Sequence, residues 1–382
     1  MNDFESLRDS LNKTGVDGML ATLADILRKE DKHHELFEAL KMRVRHGIGL
    51  PLMYGEASDN LIEAQRTKLE EGLLAACREV GSSLLQSGKI REGWMYLRPV
   101  GEKAEAAGLL QAVEPNEENL EELIEVLLHE GVDVPRGYGL VLEHYGVCNS
   151  ITTFDTQINR ASKADQKAAA TLLVRRLHAD LLGNVKYDIA RQEGSQPTEN
   201  TLKALVADRD WLLQDGQYHI DTTHLSSTVR IARILETAPE QRLALDLTEY
   251  GRRLAEQFQS QGDEPFAETY PAHALYYQAL LGENLDEALA YFRKKAEELD
   301  VGHHGPAPAE TYIDLLSRLG RKQEAIDAAL KLLPEGTQPV GIAPSLYELS
   351  KQAGDYSRMV RAAEERGDVL SFAAGLAGGA AK

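Results

Sequence analysis

Cysteine is scarce in this sequence of 382 residues, which contains only Cys77 and Cys148. The two lie 71 positions apart, and the sequence has no CxxC pattern. This scarcity argues against a thiolate zinc site and against a disulfide framework. A reducing compartment suits such a chain, so we expect it to be cytoplasmic.

Apolar runs are also short. The first five residues, MNDFE, are acidic and lack the apolar region of a secretory signal. No uncharged apolar stretch approaches the roughly 18 residues that a membrane-spanning helix needs. We therefore expect no membrane partner.

Positive charge is in deficit, with 42 Lys and Arg against 61 Asp and Glu and a net charge of −19. Such a field repels polyanions, and no cluster of basic residues offsets it locally. We therefore expect no nucleic acid and no anionic membrane among the partners. A basic segment of a protein or peptide would suit this charge.

Strand patterns and nucleotide or nucleophile motifs are almost absent. Residues 148–155, CNSITTFD, come nearest to an alternating strand. No phosphate-binding loop and no G-x-S-x-G elbow occurs, so we expect no nucleotide cofactor and find no sign of serine nucleophile chemistry. Helical periodicity covers most of the remainder, which predicts an all-α fold.

The breaks between helical patterns predict an organisation in five regions. A glycine-rich stretch, with a histidine, a cysteine and several polar residues, interrupts the periodicity after the first third. This stretch is open to two interpretations, a functional loop or a junction between helical regions, and we favour the junction. The predicted regions are an N-terminal helical region (1–130), an irregular junction (131–160), a central helical region (161–263), a repeat region (264–372) and a flexible tail (373–382).

A repeat of two helices joined at a glycine occurs three times near the C-terminus. The copies cover residues 274–292, 311–330 and 346–363, with turn glycines Gly282, Gly320 and Gly354 spaced 38 and 34 apart. Small residues follow two of these glycines, at Ala288 and Ala325.

Residues 265–366 thus resemble the tetratricopeptide repeat (TPR), whose period is about 34 residues. Tyrosines near Tyr276, Tyr312 and Tyr347 stand where that family has a tryptophan. The resemblance implies helical hairpins stacked as a degenerate TPR-like α-solenoid. Such a scaffold would bind a peptide or protein partner on its concave face. Tyr277 is the tyrosine that we expect to be most exposed there.

The densest polar stretch is YHIDTTHLSS, residues 218–227. His219, Asp221 and His224 offer two imidazoles and a carboxylate, a set that leaves open positions on a catalytic Zn or Fe ion. His144 and His273 are further candidate ligands, as is His178. An alternative function is therefore a metal-dependent enzyme on a helical-repeat scaffold.

In that alternative, Tyr218 or Glu143 would act as proton donor or base. A second interpretation of the same stretch is structural. Asp221 or Thr222 is a natural N-cap for the helix that follows, and His219 would then satisfy backbone groups. The sequence leaves both interpretations open, and with them the question of enzymatic activity. A histidine pair at His303 and His304 lies between glycines, where a connection between repeats is the simpler interpretation.

Overall fold

The computed structural model describes residues 2–53, 61–334 and 336–380. These residues are all-helical, with 75% of them in helices, none in a strand, and many helices packed against neighbours. The predicted all-α class is confirmed. The chain divides into two compact units, Met1–Gly146 and Val147–Lys382.

The first unit is built from helices that pack against their sequence neighbours, α1 (Asp3–Lys29) on α2 (His33–Gly47), α2 on α3 (Glu63–Gln86) and α3 on α4 (Ile90–Leu97). Small and branched apolar residues on these helices form its core, among them Ala24, Leu36 and Val80. The unit continues with α5 (Lys103–Leu110), α6 (Leu120–Ile124) and α7 (Val134–His144).

The stretch predicted as an irregular junction, 131–160, is largely helical. It contains all of α7 and α8 (Gly146–Thr156), and residues 148–155 are helix rather than strand. Of the two glycines in α7, Gly137 is needed for packing: a Cβ there would lie 2.7 Å from the Cβ of Leu128. Gly146 lies between the two helices with φ of +79°, which glycine adopts without strain.

The second unit begins within α8 and continues with twelve more helices in its described part. These are α9 (Lys163–Glu193), α10 (Leu202–Ala207), α11 (Thr222–Ile231), α12 (Ala238–Gly251), α13 (Thr269–Leu280), α14 (Leu285–Glu298), α15 (Val301–His304), α16 (Ala307–Arg318), α17 (Lys322–Leu332), α18 (Leu346–Ala353), α19 (Ser357–Arg366) and α20 (Val369–Ala380). The long helix α9 packs against α11 and α12, and α12 packs against α13.

The three predicted hairpins correspond to α13–α14, α16–α17 and α18–α19. Their turn glycines all have positive φ, between +66° and +80°. Ala288 and Ala325 are fully buried, as the close approach of two helices requires. Tyr277 is also fully buried, and its hydroxyl donates to the Val229 carbonyl. The expectation that it is exposed was wrong, because its ring fills the contact between α11 and α13.

The predicted flexible tail is helical as far as the structure describes it. Helix α20 runs to Ala380, and Ala381 and Lys382 lie outside the described residues. Glycines let this helix approach α19, since a Cβ at Gly375 would lie 2.7 Å from Val360. No described helix has the length and apolar character needed to cross a membrane.

Candidate ligand-binding site

Asp221 caps helix α11. Its carboxylate accepts hydrogen bonds from the backbone N–H groups of Thr223 (2.8 Å) and His224 (3.2 Å) and from the Thr223 hydroxyl (2.6 Å). These bonds lower the pKa of Asp221, that of the Thr223 hydroxyl having the largest effect. The predicted capping role of Asp221 is thus present in the structure.

His219 is held between two partners from neighbouring helices. The Nδ1 atom of His219 lies 2.9 Å from the Tyr250 hydroxyl, and the backbone N–H of His219 donates to the same hydroxyl at 3.0 Å. The Nε2 atom lies 3.4 Å from the Asp188 carboxylate. The backbone carbonyl of His219 accepts from the Asn184 amide at 2.9 Å. Burial lowers the pKa of His219, while the bond to Asp188 acts in the opposite direction. Both ring nitrogens therefore have protein partners.

The other predicted site residues lie on several different elements. His224 is half-buried on α11 and Tyr218 is exposed beside Phe258. Glu143 and His144 are exposed at the end of α7 in the first unit. Among the residues that the structure describes, no group of three or more His, Cys, Asp or Glu side chains is placed to hold a metal ion.

His178 belongs to a separate buried pair. Its Nε2 lies 2.8 Å from Asp246, a side chain that is 8% exposed. Asp246 also accepts from the backbone N–H groups of Leu202 (2.7 Å) and Lys203 (2.9 Å), at the start of α10. This carboxylate thus anchors α9, α10 and α12 together.

A cavity of about 240 Å³ lies in the second unit beside α11. Elements well separated in the sequence form its wall: α11 and the turn after it, the loop 259–268, the start of α13, helix α16 and the segment near residue 342. The side chains that matter for its chemistry are Ser226, Ser227, Arg230, Arg233, Asp263, Glu264, Phe266, Thr269, His273 and Thr311.

Arg233 is the unpaired cation of this cavity. Its Nε donates to the Arg230 carbonyl at 3.1 Å, and its guanidinium lies 4.6 Å from the centre of the Phe266 ring. It forms no ion pair with any described residue, whereas Arg230 pairs with both carboxylate oxygens of Asp155 at 2.8 and 2.9 Å. Burial lowers the pKa of Arg233, yet an arginine stays charged in a protein. A half-buried charge therefore lies at the cavity without a counter-ion at hydrogen-bond distance.

His273 and Thr311 add buried polar atoms that lack partners. His273 is 2% exposed; its Nδ1 lies 2.6 Å from the Thr269 carbonyl, and its Nε2 has no hydrogen-bond partner among the described residues. Thr311 is also 2% exposed, and its hydroxyl is likewise unpartnered within that part of the chain. Unpaired polar groups are costly inside a protein unless something binds them.

The loop 259–268 forms one side of the cavity and is fixed by several contacts. Gly262 N–H donates to the Ala267 carbonyl at 3.0 Å, and a Cβ on Gly262 would lie 2.6 Å from the Phe266 carbonyl oxygen. The Glu264–Pro265 bond is cis. Phe266 is buried and stacks on the imidazole of His273 with ring centres 4.2 Å apart.

Arg318 and Glu310 hold two other parts of the wall. Arg318 donates to the carbonyls of Arg233 (2.6 Å) and Leu235, which fixes the 3-10 turn Ala232–Ile234 that carries Arg233. The buried Glu310 carboxylate accepts from the backbone N–H groups of Val340 and Ile342, both at 2.8 Å. Hydrogen bonds from Arg318 and to Glu310 therefore fix the backbone of two parts of the wall.

From the sequence, His273 was a candidate only as a metal ligand, and Arg233, Asp263 and Thr311 were not predicted. A sequence signal existed for Arg233: Arg230 and Arg233 are three apart and share a helix face. A second signal was the Gly-Asp-Glu-Pro run at 262–265, which is typical of a turn. Nothing in the sequence indicates that α16 brings Thr311 to the same cavity.

The chain was compared with protein-family models, with curated proteins and with solved structures. None of the three comparisons gave a match. The functional argument therefore depends on the geometry of the site.

Proposed function

We propose that the second unit is a ligand-binding module that takes an anionic group, a carboxylate or a phosphate, into the cavity beside α11. The observation that carries this proposal is Arg233, a half-buried guanidinium with no ion-pair partner among the described residues. Guanidinium groups bind carboxylates and phosphates through paired hydrogen bonds. Ser226, Ser227 and Thr311 supply hydroxyls beside it.

This proposal extends the scaffold function predicted from the sequence. In it, the hairpins of residues 264–372 stack as a degenerate TPR-like solenoid, and a peptide or protein partner binds on the concave face. The positive φ of each turn glycine and the packing of α14 on α16 and of α17 on α18 support that arrangement. An anionic group of such a partner, or a separate small molecule, would enter the cavity.

The test is a titration of the protein with acetate and with inorganic phosphate, in which ¹H–¹⁵N NMR spectra are recorded at each concentration. At least one of these anions should shift the backbone signals of Ser226, Ser227 and Gly262 in a saturable way. Arg233→Gln should weaken that binding by roughly tenfold or more, the loss expected for a hydrogen-bonded charge. Arg253→Gln is the matched control, because Arg253 is paired with Asp210 at 2.5 Å and does not line the cavity.

Two results would reject the proposal: no saturable shift with either anion, or equal affinity in Arg233→Gln and wild type. The net charge of −19 disfavours non-specific binding of anions, so the background in this titration should be low.

The metal-dependent alternative stays a prediction, with His219, Asp221 and His224 as ligands and His144 or His273 completing the set. Elemental analysis of untagged protein, with His219→Ala and His224→Ala as comparisons, tests it. A stoichiometric Zn or Fe content that both substitutions abolish would favour this alternative.

A further inference from the structure

His273 lines the cavity as a neutral imidazole, and its buried Nε2 is an acceptor rather than a donor. Its Nδ1 lies 2.6 Å from the Thr269 carbonyl oxygen, which can only accept. Nδ1 therefore carries the proton, and Nε2 is left as a lone-pair acceptor. Burial, with the nearby charge of Arg233, lowers the pKa of His273 to about 3, so the ring is neutral at physiological pH. No described residue donates to Nε2.

Asp263 is a second acceptor at the cavity. Its carboxylate forms no hydrogen bond or ion pair with another described residue, whereas its neighbour Glu264 lies 2.9 Å from Lys295. Burial lowers the pKa of Arg233, and the charge of Asp263 acts in the opposite direction with a much smaller effect. Within the described part of the chain, the cavity thus combines a half-buried cation, Arg233, with an exposed anion, Asp263, and neither has an ion-pair partner there.

A simple anion would satisfy only part of this arrangement. It would accept from Arg233, but it is repelled by Asp263, and a carboxylate offers no hydrogen to an acceptor. A ligand with an ammonium group near its acid group would match both Arg233 and Asp263, because the ammonium carries positive charge and donates three hydrogen bonds. The positive charge of Arg233 and the negative charge of Asp263 therefore complement a molecule that carries both a negative and a positive group.

We infer that the ligand is a small zwitterion of the amino-acid type, with its carboxylate on Arg233 and its ammonium group toward Asp263 and His273. This inference depends on the proposed function, since it assumes that Arg233 binds an acid group. The volume of about 240 Å³ lies below the roughly 300 Å³ at which pockets for drug-sized molecules begin. Pro265, Ala307 and Ile342 form an apolar part of the wall, which suits a short aliphatic side chain.

Two probes that differ only in the ammonium group test the inference, butanoate and 2-aminobutanoate. Both are titrated into the full-length wild-type chain and followed by the same NMR signals. We expect 2-aminobutanoate to bind about fivefold more tightly or better, the gain of a partly exposed ion pair with an added hydrogen bond.

The variant Asp263→Asn gives the sharper result, because the inference predicts opposite changes for the two probes. It should weaken 2-aminobutanoate binding by about fivefold and leave butanoate binding equal or tighter, since it removes a repelling charge. Asp210→Asn, an aspartate outside the cavity, is the matched control and should change neither affinity. Circular dichroism and the thermal midpoint check that both variants fold.

A second variant, His273→Phe, removes the acceptor while keeping an aromatic ring against Phe266. It should also weaken 2-aminobutanoate more than butanoate. Equal affinities of the two probes for wild type, or an equal effect of Asp263→Asn on both, would overturn the zwitterion inference and leave anion binding intact. Failure of both probes to bind would overturn the inference together with the proposed function.

Discussion

The cluster around His219 and the cavity around Arg233 lie in the same unit and have opposite hydrogen-bond states. In the first, both imidazole nitrogens, the backbone N–H and the carbonyl of His219 all have protein partners. In the second, the Arg233 charge, His273 Nε2 and the Thr311 hydroxyl lack them among the described residues. The sequence draws attention to the His219 cluster because polar residues are dense there. The Arg233 cavity differs from it because some of its buried polar groups have no hydrogen-bond partner among the described residues.

The comparison teaches that a saturated polar cluster stabilises the fold, while an unsaturated one is available to a ligand. Satisfied buried polar groups are costly to disturb. Unpartnered ones can be replaced by apolar groups of similar shape at little cost. This difference leads to stability measurements on matched pairs of residues, one from each kind of environment.

Asp246→Ala should have the largest effect. It leaves His178 and the N-terminus of α10 without their shared acceptor, so we expect a loss of about 3–5 kcal/mol in the free energy of unfolding. The cavity aspartate is the comparison: Asp263→Asn should change stability by less than about 0.5 kcal/mol, because its exposed carboxylate has no hydrogen-bond partner among the described residues. Urea denaturation at pH 7 measures both, and similar losses in the two variants would contradict the distinction.

Acid should destabilise the second unit through His273. The folded protein binds this proton only near pH 3, whereas the unfolded imidazole binds it below about pH 6.5. Between these values the unfolded state holds the extra proton, so stability falls as pH falls, by about 1.4 kcal/mol per pH unit from this group. Between pH 6.5 and 4.5, wild type should lose roughly 2–3 kcal/mol more than His273→Phe. Equal losses in urea melts at these pH values would argue against a neutral His273.

Tyr250→Phe should cost about 1–2 kcal/mol, because its hydroxyl serves both the backbone and the ring of His219. Tyr270 is the matched control, since it is equally buried and its hydroxyl has no partner among the described residues. Tyr270→Phe should therefore leave the free energy of unfolding within about 0.5 kcal/mol of wild type. A reversed order of the two effects in urea denaturation would be inconsistent with the saturated state of the His219 cluster.

Two buried threonines give the smallest expected difference. The Thr248 hydroxyl donates to the Ala244 carbonyl at 2.7 Å, and Thr248→Val should cost about 1 kcal/mol. Thr311→Val removes an unpartnered hydroxyl and should leave stability unchanged or slightly raised. The thermal midpoints of the two variants, measured side by side, test this difference. A greater loss for Thr311→Val than for Thr248→Val would show that the Thr311 hydroxyl forms a stabilising hydrogen bond.

The fold class followed from the sequence because helical periodicity and turn glycines are local signals. Gly282, Gly320 and Gly354 end their helices where the pattern predicts. The capping of α11 by Asp221 was also predictable, since an N-cap needs only its own helix. The prediction that Tyr277 is exposed was wrong because its burial depends on α11, a helix almost fifty residues earlier in the sequence.

The cavity was harder to predict for the same reason. Arg233, Asp263, His273 and Thr311 come from four elements, and only tertiary packing brings them to one wall. The metal hypothesis gave weight to imidazoles close in sequence, although adjacent positions on a chain seldom point at one centre. What identifies the cavity is an absence of partners, which a sequence does not record.

The most direct measurement is Arg233→Met, assayed for both stability and binding of 2-aminobutanoate. Our account predicts that binding weakens by roughly tenfold or more. It also predicts that the free energy of unfolding changes by less than about 1 kcal/mol, because the lost charge has no ion-pair partner in the part of the chain that the structure describes. A loss of about 3 kcal/mol or more, with binding retained, would contradict the account and place Arg233 among the structural charges of the fold.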